Sequence, residues 1–104
     1  MAAPYNPPVK NEDFVYYDTV PSMANAGSFQ LNPTIAAGDF QISKNGGAFA
    51  NLGTLPAVTP AAGAAIKFTL SSTEMNADNI IIVGIDQTTP KEWADYSFSI
   101  VTTA

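Results

Sequence analysis

The chain has 104 residues, 46% of them hydrophobic and only 12% charged, and its nine acids against four basic residues give a formal charge of −5. A chain of this length supports one hydrophobic core, burying roughly 60–70% of the surface that the unfolded chain exposes. The lack of His and Cys excludes a Ser-His-Asp triad, a cysteine nucleophile, a disulfide and an ordinary zinc site, and four scattered lysines (Lys10, Lys44, Lys67 and Lys91) without arginine argue against a nucleic-acid surface.

In chain order, residues 1–13 carry Pro4, Pro7 and Pro8, which fix φ and remove amide donors, so this segment is predicted as an extended N-terminal arm excluded from a sheet interior, with a disordered terminus as the alternative. Its residues Tyr5, Pro7, Pro8 and Val9 are candidate partner contacts. The same prolines interrupt any leader-like apolar helix, so the start is not read as a signal peptide. Residues 14–104 are predicted as a single domain. Residues 14–20 have the aromatic and β-branched content of a strand ended by Pro21. A further short strand is expected at residues 28–31, before Pro33.

Residues 38–52 read as a β-hairpin folded around Asn45-Gly46-Gly47, because Asn-Gly supplies the positive φ angles that a tight turn requires. Phe40 and Ile42 fall on one face of it, Gln41 and Ser43 on the other. Residues 55–63, with Pro56 and Pro60, are expected to form a loop. Ile66, Phe68 and Leu70 then alternate with Lys67 and Thr69, the pattern of a half-buried strand. Ser71-Ser-Thr-Glu74 matches a capping box and predicts one helical turn.

The run from Asn79 to Asp86 is the most apolar strand, and its unbroken apolar character predicts burial on both faces. It is far shorter than the roughly 20 residues of a membrane-spanning helix. After a turn at residues 87–91, Tyr96, Phe98 and Ile100 alternate with Asp95, Ser97 and Ser99. Six or seven short strands with frequent turns indicate an all-β fold, a small antiparallel β-sandwich of Ig-like or jelly-roll-like type with the N-terminal arm attached.

Chemistry is sparse. Asp39, Glu74, Asp78, Asp86, Glu92 and Asp95 lie at strand ends and turns, and a glycosidase pair among them would need a cleft that a small sandwich lacks. Asp78, Asn79 and Asp86 flank one strand, but the Asp-x-Asp-x-Asp-Gly spacing of a calcium loop is absent. Gly46-Gly47 lacks the flanking pattern of a phosphate loop. No catalytic residue, metal site or cofactor is therefore expected. Trp93 is either a core residue, the preferred reading, or a surface anchor. Tyr16 and Tyr17 cannot both face inward on one strand, so Tyr17 joins Trp93 among the candidate partner contacts.

The run Ala36-Ala-Gly-Asp-Phe-Gln-Ile-Ser-Lys-Asn-Gly-Gly-Ala-Phe-Ala-Asn-Leu52, followed by Leu55-Pro-Ala-Val-Thr-Pro60 and Thr69-Leu-Ser-Ser-Thr-Glu-Met75, resembles a module of small structural proteins of tailed bacteriophages, over roughly residue 29 to the C-terminus. Relatives of that kind include head decoration (cement) proteins and amino-terminal modules of baseplate or fibre proteins. The resemblance implies a non-enzymatic virion protein, made in the bacterial host cytoplasm and bound on the capsid exterior. Its implied partners are the major capsid protein and copies of itself, as a homotrimer that reinforces capsomer contacts, with neither nucleic acid nor membrane. The alternative is a tail baseplate or fibre component, or a receptor- or glycan-binding module in which Tyr17 and Trp93 form an aromatic platform.

Overall fold

A computed structural model describes residues 7–104, so the candidate contact Tyr5 and the first part of the arm lie outside the described residues. Seven strands follow in order, β1 (Phe14–Asp18), β2 (Phe40–Lys44), β3 (Ala50–Asn51), β4 (Ala57–Val58), β5 (Ile66–Leu70), β6 (Asn79–Gly84) and β7 (Tyr96–Val101). They form two antiparallel sheets, one ordered β1-β5-β4 and the other β3-β2-β6-β7. The sheets pack face to face as a small all-β sandwich.

Alternation decides what each strand buries, because successive side chains point to opposite faces. Ile66, Phe68 and Leu70 of β5 are buried from the inner face of one sheet, and Phe40, Ile42, Ile80, Ile82, Tyr96 and Ile100 from the other. Aromatic rings hold the layers together. Tyr16 stacks on Phe68 at 4.6 Å and on Phe98 at 4.3 Å, while Phe40 meets Phe68 edge-on at 5.1 Å, geometries that add to simple area burial.

The hairpin forms where the sequence places it. Asn45 and Gly46 take φ of 51° and 76°, and the Gly47 amide donates to the Lys44 carbonyl at 2.9 Å, closing a two-residue turn of the type that matches strand twist. Pairing of Ile42 with Ala50 leaves one extra residue on the returning arm, a bulge stabilised by the Ser43 hydroxyl donating to the Gly47 carbonyl at 2.7 Å. The capping box also forms as expected, with the Ser71 amide donating to Glu74 and the Glu74 amide to the Ser71 hydroxyl. Its single turn inserts Met75, fully buried, into the core.

Three expectations are corrected. Residues 28–31 form no strand; Phe29 makes only an isolated bridge with Pro21, and the Ser28 amide turns back to the Asn25 carbonyl. The expected loop at residues 55–63 contains β4, a two-residue edge strand where flanking prolines are tolerated. The strand β6 is buried on its inner face but only half-buried at Ile81 and Val83, because nothing covers the outer face of its sheet among the described residues. The described part of the arm runs along the domain. Pro7, Pro8 and Val9 are half-buried, Val9 bridges Thr103 in parallel, and the Asn11 amide donates to the Met75 carbonyl at 3.0 Å.

Candidate interaction surface

The acids are the natural starting point for chemistry, and most of their side chains are engaged by the chain's own backbone. Asp39, 2% exposed, accepts from the amides of Ala36 at 2.9 Å and Gln87 at 3.2 Å. Asp86, equally buried, accepts from the amides of Thr88, Glu92 and Trp93. Burial opposes its charge, yet these amides outweigh burial and hold its carboxyl below the usual range. Glu92 accepts from the Thr34 amide, Glu74 from those of Ser71 and Gly53, and Asp13 from that of Ser72. Asp78 and Asp95 form exposed ion pairs with Lys10 and Lys91. The backbone-bonded carboxylates act as caps for loops and turns. Asp78 and Asp86 sit at opposite ends of β6 rather than converging, and no cluster of three or more metal-ligating side chains occurs among the described residues.

A buried polar contact links the two sheets. The Tyr96 hydroxyl donates to the Asp18 carboxylate at 2.7 Å, with the Tyr16 hydroxyl 3.4 Å away. Burial pushes both phenols well above their ordinary value of 10.0, reinforced by the nearby Asp18 charge. Phenols held protonated in this way are structural, since a nucleophile or base needs a lowered pKa or a partner that takes its proton.

The outward strand positions of the four-stranded sheet are uncharged. The outer face of the four-stranded sheet presents Gln41 and Ser43 from β2, Asn51 from β3, Ile81 and Val83 from β6, and Ser97, Ser99 and Val101 from β7. Two shallow depressions mark it. The larger, about 360 Å³, is lined by Gly38, Gln41, Asn51, Val83, Ile85 and Gln87, and the Gln41 amide donates to Asn51 across it at 3.0 Å. The smaller, about 190 Å³, lies between Ser43, Ile81, Ser99 and Val101.

Large apolar side chains are exposed elsewhere too: Tyr17, Met23, Phe29, Leu31, Phe49, Leu55, Ile85 and Val101. Of the contacts expected from the sequence, Tyr17 is open to solvent at 58%. Trp93 is a core residue, in line with the preferred reading, and its place among the candidate contacts is corrected: it is 0% exposed, stacks on Phe40 at 5.2 Å and donates its indole N–H to the Thr34 carbonyl at 3.2 Å. It cannot form an aromatic platform with Tyr17. Met23, Phe29 and Leu31 are not among the expected contacts. The available signal is their position in a Gly-, Asn- and Pro-rich connection, where strand alternation offers no way to bury them.

No protein-family model matches the chain, and no curated protein sequence or solved structure matches it either.

Proposed function

We propose that this chain is a non-enzymatic structural protein of a tailed-phage virion, a decoration (cement) protein that binds the outer head surface as a homo-oligomer and reinforces capsomer contacts. The observation that carries this reading is the surface itself: eight large apolar side chains, 43–71% exposed, on a small sandwich whose four-stranded sheet has no charged side chain at its outward strand positions. Surfaces of this kind mark contact with other protein. The acids fit the same reading, because carboxylates engaged by backbone amides leave little for acid–base chemistry. The homotrimer and the capsid partner come from the resemblance to phage structural proteins.

The test is binding of the purified protein to heads that lack it, read by electron microscopy and by thermal resistance of the heads. Regular density over capsomers and raised heat resistance support the proposal, and absence of binding overturns it. Deleting residues 1–6, which leaves the Pro8–Thr103 contact in place, tests the arm: reduced occupancy with an unchanged melting temperature supports a role in attachment. A second reading, a glycan-binding tail module, is favoured by one observation, the amide-lined depression of Gln41, Asn51 and Gln87. Saturable glycan binding lost in Gln41→Ala would favour it.

A further inference from the structure

Three carboxamides meet at the larger depression of the four-stranded sheet, and each is held by a bond inside the chain. Gln41 and Asn51 are cross-strand partners, and the Gln41 Nε2 donates to the Asn51 Oδ1 at 3.0 Å. The Gln87 Nε2 donates to the Ile85 carbonyl at 3.1 Å. A carboxamide carries both N–H donors and an acceptor oxygen, so these bonds leave the Asn51 Nδ2, the Gln41 Oε1 and the Gln87 Oε1 without a partner among the described residues. Free donors and acceptors thus line one depression on side chains that are already oriented.

The frame around them is equally fixed. Asp39 lies at the base, and its carboxylate joins the two rims by accepting from the Ala36 amide at 2.9 Å and the Gln87 amide at 3.2 Å. Its own carbonyl accepts from the Ile85 amide at 2.8 Å. Gly38 keeps the space open: its φ is 91°, and a Cβ built there meets nothing nearer than the Asn51 Oδ1 at 4.0 Å, so a longer side chain would fill the room beside the amide pair. The floor is apolar, made by Val83, opposite Gln41 in the ladder, and by Ile85, 43% exposed.

We propose that this depression binds an uncharged sugar, its hydroxyls on the three carboxamides and its C–H face on Val83 and Ile85. A hydroxyl both donates and accepts, and the free groups here offer both. The volume of about 360 Å³ falls at the low end of the roughly 300–1,000 Å³ of small-molecule sites, the scale of a terminal sugar rather than a long chain. Other ligand classes fit worse. A peptide strand needs open backbone groups, whereas β2 and β6 have a neighbouring strand on both sides. A phosphate needs a cation, and none lines the depression. An acidic sugar would bring its charge over the Asp39 carboxylate, on a chain that already carries −5.

This assignment gives a ligand class and its contacts to the depression on which the second reading rests, and it holds for a protein on the head or in the tail. Sugar binding and head binding are measured separately, so each can fail without the other.

The experiment is titration of the isotope-labelled full chain, followed by nuclear magnetic resonance, with oligosaccharides ending in glucose, galactose or N-acetylglucosamine and with glucuronic and sialic acids. The expected result is a saturable shift of the side-chain amide signals of Gln41, Asn51 and Gln87 with a neutral sugar, and binding at least about tenfold weaker for the acidic ones. Asn51→Asp keeps the acceptor for Gln41 and replaces the free donor by a carboxylate oxygen. It should weaken binding at least about tenfold at an unchanged melting temperature, while Ser99→Ala, in the smaller depression, leaves binding as it is. Gln87→Ala, at an exposed position, decides the matter if Asn51→Asp fails to fold. No saturable shift with any of the neutral sugars, shifts centred elsewhere on the surface, acidic sugars bound as tightly as neutral ones, or full affinity in a folded Asn51→Asp overturns the site.

Discussion

The Tyr96 hydroxyl on β7 donates to the Asp18 carboxylate at the end of β1, at 2.7 Å, so one bond ties together the two edge strands on the same side of the sandwich. Tyr16 completes the contact from below, its ring stacked between Phe68 and Phe98. Replacing Tyr96 by Phe keeps the ring and removes the donor. The expected loss is about 1–2 kcal/mol, the value of a hydrogen bond to a charged acceptor that retains some solvent. Chemical denaturation should show it as a lower midpoint with an unchanged slope. A wild-type midpoint would mean that water replaces the phenol at Asp18.

The same residues set the alkaline limit. Folding raises the pKa of both Tyr16 and Tyr96 above 10.0, so the folded state keeps protons that the unfolded chain releases. Their contribution is fully present below pH 10 and is lost as pH rises beyond it. Stability should fall steeply above pH 10, with the tyrosinate absorbance of these two residues appearing together with unfolding. Ionisation of all tyrosines in a still-folded protein would contradict the burial of this pair.

At acid pH Asp86 contributes to stability. Its pKa is lowered in the folded state, so its contribution is present above the ordinary value of 3.8 and is lost as pH falls below it. Asp86→Asn replaces one acceptor oxygen by an amide that faces the N–H groups of Thr88, Glu92 or Trp93. A loss of about 2–3 kcal/mol is expected, together with a shallower decline of stability between neutral and acid pH. An unchanged acid profile in Asp86→Asn would assign the acid sensitivity to other carboxylates.

Gly84 is an apolar strand's one residue without a side chain, and its reason lies in Phe40. A Cβ at position 84 would stand 2.7 Å from Phe40 Cδ1 and closer still to Cε1. The ring cannot withdraw easily, being stacked on Trp93 and set edge-on to Phe68 and Tyr96. Gly84→Ala should therefore destabilise by about 1–3 kcal/mol, the range for overpacking. Adding Phe40→Leu should recover part of that loss, so the double mutant falls short of the sum of the two single changes.

Features that depend on near neighbours in the chain are legible in the sequence. The Asn45-Gly46 turn, the capping box of Ser71 and Glu74, and the alternation of β5 and β7 each follow from contacts within a few residues. Asp39 is not legible as a buried acid, because one of the amides that justify it comes from a loop brought to it by the fold, Gln87 being 48 positions away; the partners of Asp86 are near in sequence, but the irregular loop of Thr88, Glu92 and Trp93 that turns back on it has no periodic pattern to reveal it. The apolar run of β6 reads as buried on both faces, since sequence shows that a face is apolar but not that anything covers it. Trp93 is open to both readings in the sequence, with the core preferred, and the bridge between Ser22 and Trp93 settles it by drawing the segment beneath Phe40.

The contrast between Trp93 and Tyr17 gives the remaining prediction. Trp93 is enclosed, stacked and hydrogen-bonded, so Trp93→Ala should cost about 3–5 kcal/mol and lower the melting temperature whether or not a partner is present. Tyr17 faces solvent from β1 while its neighbour Tyr16 fills the core, so Tyr17→Ala should change stability by no more than about 0.5 kcal/mol. If Tyr17 contacts the capsid, its replacement should reduce head occupancy while leaving the melting curve in place. Full occupancy by Tyr17→Ala would move the contact to the other exposed groups, with Met23, Phe29 and Leu31 next in line because they share one connection on the surface.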